Sequence, residues 1–328
     1  MGFPAINRHR QLFLIDMNPY SDIEAHLLTH CTVCPRGCGA NRFTGKLGYC
    51  RSDAGFNVSS VCVHKGEEPV ISGKKGICNV FFPHCNLQCV YCQNYDISCN
   101  QIESAWQTYT LPGLVDRICQ VLEHTENMVG FVSPSHYVPQ MMAIIREIRQ
   151  RGLTPVFVYN TNGYDKAETL QMLEEYIDVY LTDFKYLYSS LAQQCSKAAN
   201  YPEVASEAFR EMFRQKGSTL RLGDDGLALS GIIVRHLVLP GNVDNSIEVL
   251  KYLAEEFSSR LHISLMAQYY PTQHVSGHPK LGRTIAAEEY EQVVDAFHSF
   301  GFFRGWVQEL SSQASYRPDF LAPKPFDD

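Results

Sequence analysis

The sequence predicts an α/β protein built on a parallel sheet, with a small cysteine-rich lobe in front of it. Two observations carry this. From residue 77 onward, short apolar β-type runs alternate with longer amphipathic runs six times over, the pattern of strands joined by crossover helices. Before residue 75 that rhythm is missing, and Cys31, Cys34, Cys38 and Cys50 fall within twenty residues of glycine-punctuated chain. At 328 residues the chain reaches the size where a single core stops growing, so one sheet domain with an appendage is the natural expectation.

Taken in order, Ser21 followed by Glu24 is a capping box that opens a short helix over residues 21–29. The remainder of residues 1–75, including the Glu67-Glu68-Pro69 run, reads as a loop-rich lobe that apolar burial alone does not hold and that needs a metal. Strands are expected at 77–82, 128–132, 155–159, 179–183, 232–239 and 262–268. Helices are expected at 111–124, 138–151, 166–175, 189–216, 243–258 and 286–300, with the 189–216 segment broken near Pro202. Asp225-Gly226 reads as a hairpin turn in an insertion ahead of the fifth strand. Six repeats rather than eight predict an incomplete barrel, open on one side, with its functional residues at the carboxyl ends of the strands. Residues 76–328 would form this barrel and a C-terminal extension, and the lobe is expected against the open side.

Composition narrows the partners. Apolar content of 45% with 19% charged residues is ordinary for a globular domain. A formal charge of −7 and a pI near 5.9 argue against nucleic-acid and anionic-membrane surfaces. No run of about eighteen apolar residues suits a membrane span, and residues 1–11 lack an apolar secretory core. A cytoplasmic location is therefore expected, where twelve cysteines stay free for metal rather than for disulfides.

The most informative motif is C-x3-C-x2-C, made by Cys85, Cys89 and Cys92 directly after the first expected strand. Three thiolates hold three irons of a cubane, whereas a fully ligated 4Fe-4S centre brings a fourth cysteine. The missing ligand leaves an open coordination position, as a catalytic metal needs. A zinc site completed by His84 or Cys99, or a set of buried inert thiols, are the other readings. The spacing and its context resemble the radical S-adenosylmethionine (radical SAM) superfamily. The resemblance implies a partial (β/α)6 TIM-like barrel and a 4Fe-4S cluster on Cys85, Cys89 and Cys92 whose open iron chelates S-adenosyl-L-methionine. It further implies reductive cleavage of the sulfonium to a 5′-deoxyadenosyl radical that abstracts hydrogen, with Tyr91 packed beside the adenine.

Residues at the other strand ends extend the resemblance. Ser133 and Ser135 follow the second strand, where the superfamily holds the amino group of the cofactor. The glycine pair and glutamate common there are absent, so hydroxyls or carbonyls would serve, and Ser135 reads equally as a helix N-cap. Asn162 in the Thr161-Asn162-Gly163 run, Asp183 with Lys185, and Arg235 ahead of Pro240-Gly241 resemble runs of activating enzymes related to the pyruvate formate-lyase activase. Asp183 and Lys185 point the same way on an extended chain; Lys185 would meet the cofactor carboxylate, or simply pair with Asp183. Arg235, inside an apolar strand, needs a carboxylate or a ribose oxygen. Gln268 is a candidate hydrogen bond to adenine or substrate, or a satisfied core glutamine. Together with Glu67-Glu68-Pro69 and the runs at 92–98 and 265–269, these residues are most similar to uncharacterised radical SAM proteins named after the pyruvate formate-lyase activating enzyme.

Cys31, Cys34, Cys38 and Cys50 make a C-x2-C-x3-C-x11-C pattern, and four thiolates satisfy either a structural zinc or a second 4Fe-4S cluster. Cys62 and Cys78 are spare candidates, while Cys99, Cys119 and Cys195 read as packing residues. The resemblance implies an oxidoreductase that takes electrons from a flavodoxin or ferredoxin and activates a glycyl radical enzyme. A small-molecule or other peptide substrate is the second reading, and a non-catalytic iron–sulfur electron carrier the third.

Overall fold

The computed structural model of the chain describes residues 19–101, 106–314, 318–320, 322 and 325–326. Helix α1 (Asp22–Thr29) opens on Ser21, and the Glu24 carboxylate accepts from the Ser21 N–H at 2.8 Å, closing the expected capping box. Strands β1 (Phe56–Val58) and β2 (Ser60–His64), the helical turn α2 (Pro69–Ser72) and strand β3 (Ile77–Phe81) follow. After the turn α3 (Tyr95–Ser98) and strand β4 (Gln107–Tyr109) the strand–helix alternation sets in. It runs α4 (Leu111–Leu122), β5 (Met128–Val132), α5 (Val138–Gln150), β6 (Val156–Thr161), α6 (Ala167–Gln171) and β7 (Val179–Asp183). The second half comprises α7 (Ser189–Ser196), α8 (Tyr201–Lys216), β8 (Arg221–Leu222), β9 (Ala228–Leu237) and α9 (Val243–Glu256). It ends with β10 (His262–Met266), α10 (Ala287–Ser299) and β11 (Gly305–Val307).

Strands β3, β5, β6, β7, β9 and β10 lie side by side in chain order, every neighbouring pair parallel. Strand β11 continues the sheet in parallel at one end, and β2 pairs antiparallel with β3 at the other. Among the described residues these two edges do not pair with each other, so the sheet is open. Strands β1 and β4 form a separate antiparallel pair. All six expected strands are present. Strand β9 starts earlier than expected because the turn at Gly226 (φ +78°) folds β8 back onto it. The edges β2 and β11 were not expected, and at five and three residues they are too short to show a period. Strand β2 also falls on the lobe side of the expected 75/76 boundary, which therefore runs through a hairpin of the main sheet.

The helices follow the apolar period, with two corrections. The helix expected over 166–175 is only the five residues of α6. The long segment 189–216 is two helices: Lys197, in the left-handed region at φ 53°, ends α7, and Pro202 sits in the first turn of α8, where its missing N–H is harmless.

Alternation along the strands sorts the sheet into two faces. Val80, Phe131, Tyr159, Tyr180, Val234 and Leu265 belong to the large core shared with the helices. On the other face Ile77, Met128, Val158, Val179 and Ile233 form a smaller apolar plug with Ile71 of α2 and Leu220. Beyond that plug, toward the carboxyl ends of the strands, the same face turns polar. Its residues line a cavity of about 410 Å³.

The cysteine-bearing part of the lobe was expected across the open side and is not found there. It packs on the helix layer: the buried Glu24 of α1 pairs with Arg146 of α5, the Gln140 amide donates to the Asp53 carbonyl, and the Thr169 hydroxyl donates to the Val33 carbonyl. Among the described residues no helix is long and apolar enough to cross a membrane.

Candidate active site

Three thiols face one cavity. The chain leaves β3, passes Pro83 and the left-handed His84 (φ 68°), and delivers Cys85, Cys89 and Cys92 to the cavity wall. Each sulfur receives a donor. The Leu87 N–H and the Asn162 amide each reach Cys85 Sγ at 3.4 Å. Ser196 Oγ lies 3.0 Å from Cys89 Sγ, and Ser98 Oγ 3.3 Å from Cys92 Sγ. Burial raises the pKa of all three thiols, Cys89 to about 11 with Lys185 pulling the other way. The donors oppose that rise by favouring the thiolate, the form that binds metal. No other cysteine lines the cavity among the described residues, and Cys99 is buried outside it. Nor do any three His, Cys, Asp or Glu side chains among the described residues close around a single ion. Thiols that face a shared cavity, rather than one point, suit a multi-iron group.

The strand ends complete the wall. After β6, Gly163 (φ +78°) turns so tightly that a Cβ there would lie 2.3 Å from the Asp183 carbonyl oxygen, which brings Asn162 beside the end of β7. Asp183 and Lys185 pair with each other inside the cavity. Burial alone would lower the lysine pKa, but Asp183 and then Cys89 raise it on balance. Ser133, left-handed at φ 50°, lines the cavity. So do Gln268, whose side-chain oxygen accepts from Gln308 at 2.8 Å, and Tyr91, whose hydroxyl meets that of Tyr186. Ser135 is not on the wall. It is fully buried behind β6 with its hydroxyl 3.2 Å from that of Thr161.

Arg235 lines the cavity, but its carboxylates are the chain's own. Glu68 accepts from Nε at 2.8 Å and from Nη2 at 2.7 Å, and Glu67 also pairs with Nη2. The second oxygen of Glu67 accepts from Asn79 at 2.8 Å and Asn160 at 3.3 Å. Burial would raise the Glu67 pKa, yet Arg235 and His64 hold it down at about 2. The loop before α2 thus places two carboxylates on the cavity floor. The Glu67-Glu68-Pro69 run was visible in the sequence, but nothing there marked it as the partner of an arginine 168 positions away.

The lobe cysteines are prepared in a similar way. Cys31, Cys34 and Cys50 are buried and Cys38 is exposed. The backbone of Val33, Arg36 and Ala40 favours the thiolate of Cys31, Cys34 and Cys38 respectively, and that of Tyr49 favours the Cys38 thiolate as well. Gly48 is required there, because a Cβ would stand 2.2 Å from Cys38 Sγ. All twelve cysteines are free thiols.

Comparison with known proteins finds one curated relative, the uncharacterized protein MJ0674 of Methanocaldococcus jannaschii. It is 26% identical over 278 residues, which cover 84% of this chain and 76% of that protein. No family model matches. Among solved structures, SuiB of Streptococcus suis bound to its precursor peptide SuiA aligns over 71% of this chain and 49% of its own, with a TM-score of 0.46 at 14% identity. The FeFe-hydrogenase maturase HydG of Carboxydothermus hydrogenoformans aligns over 71% and 54%, with 0.47 at 13%. The enzyme anSMEcpe with bound AdoMet aligns over 67% and 58%, with 0.42 at 14%. The chain thus spans about half the length of these solved structures.

Proposed function

We propose that the chain is a radical SAM enzyme, in which the open sheet acts as a partial barrel around a 4Fe-4S cluster on Cys85, Cys89 and Cys92. The observation that carries this reading is the placement of three donor-supported thiols, with no fourth cysteine beside them among the described residues, on the wall of one strand-end cavity. When bound, the cluster would supply one electron to the sulfonium of S-adenosylmethionine and so generate a hydrogen-abstracting radical. The wall residues would do the rest. Lys185 offers a cation for the carboxylate of the methionine moiety, Ser133 and Asn162 offer polar groups beside the thiols, and Tyr91, Met266 and Trp306 offer apolar surface for the adenine. Glu67, Glu68 and Asp183 against Lys185 and Arg235 leave the cavity one negative charge in excess, which favours a ligand with a sulfonium.

As target we propose a backbone glycine of a protein partner, presented at the open side between β11 and β2, with electrons from a flavodoxin or ferredoxin in the cytoplasm. A small molecule or another peptide is the second reading, favoured by a cavity volume of about 410 Å³, the size of a small-molecule pocket. In the lobe we propose a second metal centre, zinc or 4Fe-4S, on Cys31, Cys34, Cys38 and Cys50, whose sulfurs do not close around a single ion as they stand and would draw together on loading. The test is anaerobic reconstitution followed by dithionite reduction with S-adenosylmethionine. The wild-type chain should bind about four irons at the triplet and release 5′-deoxyadenosine, and Cys89→Ala should do neither. A wild-type cluster that cycles electrons without any cofactor cleavage would identify an electron carrier instead.

A further inference from the structure

Two arginines of the lobe, one buried and one half-buried, have no carboxylate partner among the described residues. Arg42 is 2% exposed. Its guanidinium donates to Cys31 Sγ at 3.0 Å, to Cys50 Sγ at 3.7 Å and to the His136 carbonyl at 2.6 Å. A cation in that position needs an anion, and the sulfurs are the groups beside it able to supply one. Arg36 lies between the rings of Tyr49 and Tyr164, at 4.1 and 5.1 Å from their centroids. It donates to the carbonyls of Asn86 and Lys197, each at 2.9 Å, and its buried Nη2 has no hydrogen-bond partner among the described residues.

Three hydrogen-bonded routes run from the lobe to the triplet loop, two of them from these side chains. Arg42 holds His136, whose Nε2 lies 2.9 Å from the Pro83 carbonyl, two residues before Cys85. Arg36 holds the carbonyl of Asn86, one residue after Cys85. Tyr49, the neighbour of Cys50, has a carbonyl that accepts from Asn100 at 3.0 Å. Asn100 in turn accepts from the Cys85 N–H at 3.1 Å and donates to the Cys85 carbonyl at 2.9 Å. The lobe grips the backbone before, at and after the first ligand position.

We propose that the Cys31, Cys34, Cys38 and Cys50 site, loaded as an anionic metal–thiolate centre, anchors Arg42 and Arg36 as positioning residues. Through them it fixes the triplet loop and sets the reduction potential of the group held there. This rests on the functional reading above. A thiolate centre keeps Arg42 neutralised inside the protein. The arginines then place fixed positive charge behind Cys85, and cluster potentials follow local charge and hydrogen bonding.

The experiment uses the full chain. The central cluster is titrated by EPR-monitored reduction in wild type, Arg36→Gln and Arg36→Lys, and amide exchange over residues 84–101 is followed in the same proteins and in Cys34→Ser. Arg36→Gln should shift the reduction equilibrium about tenfold toward the oxidised state, ~59 mV for one electron, and Arg36→Lys should recover most of that shift. Cys34→Ser should lose lobe metal and exchange faster over 84–101, while the sheet strands stay protected. A wild-type potential in Arg36→Gln, or unchanged exchange in metal-depleted Cys34→Ser, overturns the proposal. If the wild-type triplet takes up no iron, the functional reading alone fails. Exchange over 84–101 in the wild-type chain with and without added zinc then decides the coupling: slower exchange with zinc sustains it, and equal exchange refutes it.

Discussion

Replacing Arg235 by Met should destabilise the chain in a way that acid reverses. The side chain keeps its apolar stem and loses the cation, which leaves Glu67 and Glu68 on the cavity floor at 6% and 5% side-chain exposure. In the wild type the Glu67 pKa is held at about 2, roughly two units below the unfolded value near 4.3. A folded pKa below the unfolded one contributes stability above about pH 4.3, and that contribution fades as pH falls through 2. At about 1.4 kcal/mol per unit, Glu67 contributes on the order of 3 kcal/mol near neutrality. That agrees with the roughly 3–5 kcal/mol lost when one partner of a buried ion pair is removed. Without Arg235, burial dominates and the carboxyl pKa should rise above 4.3. The variant would then gain on the wild type as pH falls from 7 to 5. Denaturant midpoints of the metal-free proteins at the two pH values measure this. A deficit below about 1 kcal/mol, or one that is the same at both pH values, would refute the reasoning.

Three further outcomes are expected. Lys185→Met should weaken S-adenosylmethionine binding by about 1–3 kcal/mol in equilibrium dialysis, the scale of a charge-assisted hydrogen bond; unchanged affinity would leave Lys185 as the structural partner of Asp183 only. His236 is buried with its ring nitrogens against the Phe184 carbonyl and Ser246, and burial lowers its pKa to about 4. Because the unfolded chain then binds the extra proton below about pH 6.5, this group's contribution is present above that pH and falls as the solution is acidified toward 4. His236→Gln should flatten the stability profile in that window by up to ~1.4 kcal/mol per pH unit. Gly163→Ala should lower stability by more than about 1 kcal/mol, since its left-handed φ and the Asp183 carbonyl both exclude a Cβ. A neutral substitution there would show that the loop after β6 is not pressed against β7 in solution.

The sequence made legible whatever depends on local period and spacing. Apolar runs separated by amphipathic stretches located β3, β5, β6, β7, β9 and β10 and their order in the sheet. The position of Cys85, Cys89 and Cys92 just after β3 then followed, because a loop leaving a parallel strand opens at the carboxyl edge. Residues two positions past other strands, such as Lys185 and Gln268, fell on the same wall for the same reason. Ser135 did not. A single residue of further advance turned it behind β6, and no periodicity reports on a short helical turn of that kind. What remained hidden was long-range pairing. Arg235 called for an anion, but its partners are set by tertiary contact between β9 and the loop before α2. Arg36 and Arg42 carry no local signal of their roles; only the fold sets Arg42 against the Cys31 sulfur and Arg36 against the Asn86 carbonyl.

The pairing of the cavity cations constrains how an anionic ligand group could be received. Arg235 gives its Nε and Nη2 to two carboxylates, which together outweigh its single charge, so it offers little net attraction to an incoming carboxylate. Lys185 is therefore the cation on the wall that can be shared, and it is held by Asp183 on the thiol side of the cavity. A ligand carrying both a carboxylate and a cationic centre fits this arrangement without a net charge change. Its carboxylate can take a hydrogen of Lys185, while Asp183 and the thiolate-held group face the positive charge. A ligand with only a carboxylate would add a second uncompensated negative charge to a cavity that already holds one. Under the proposed function the same wall should thus discriminate against simple carboxylic acids of similar size, by repulsion rather than by shape.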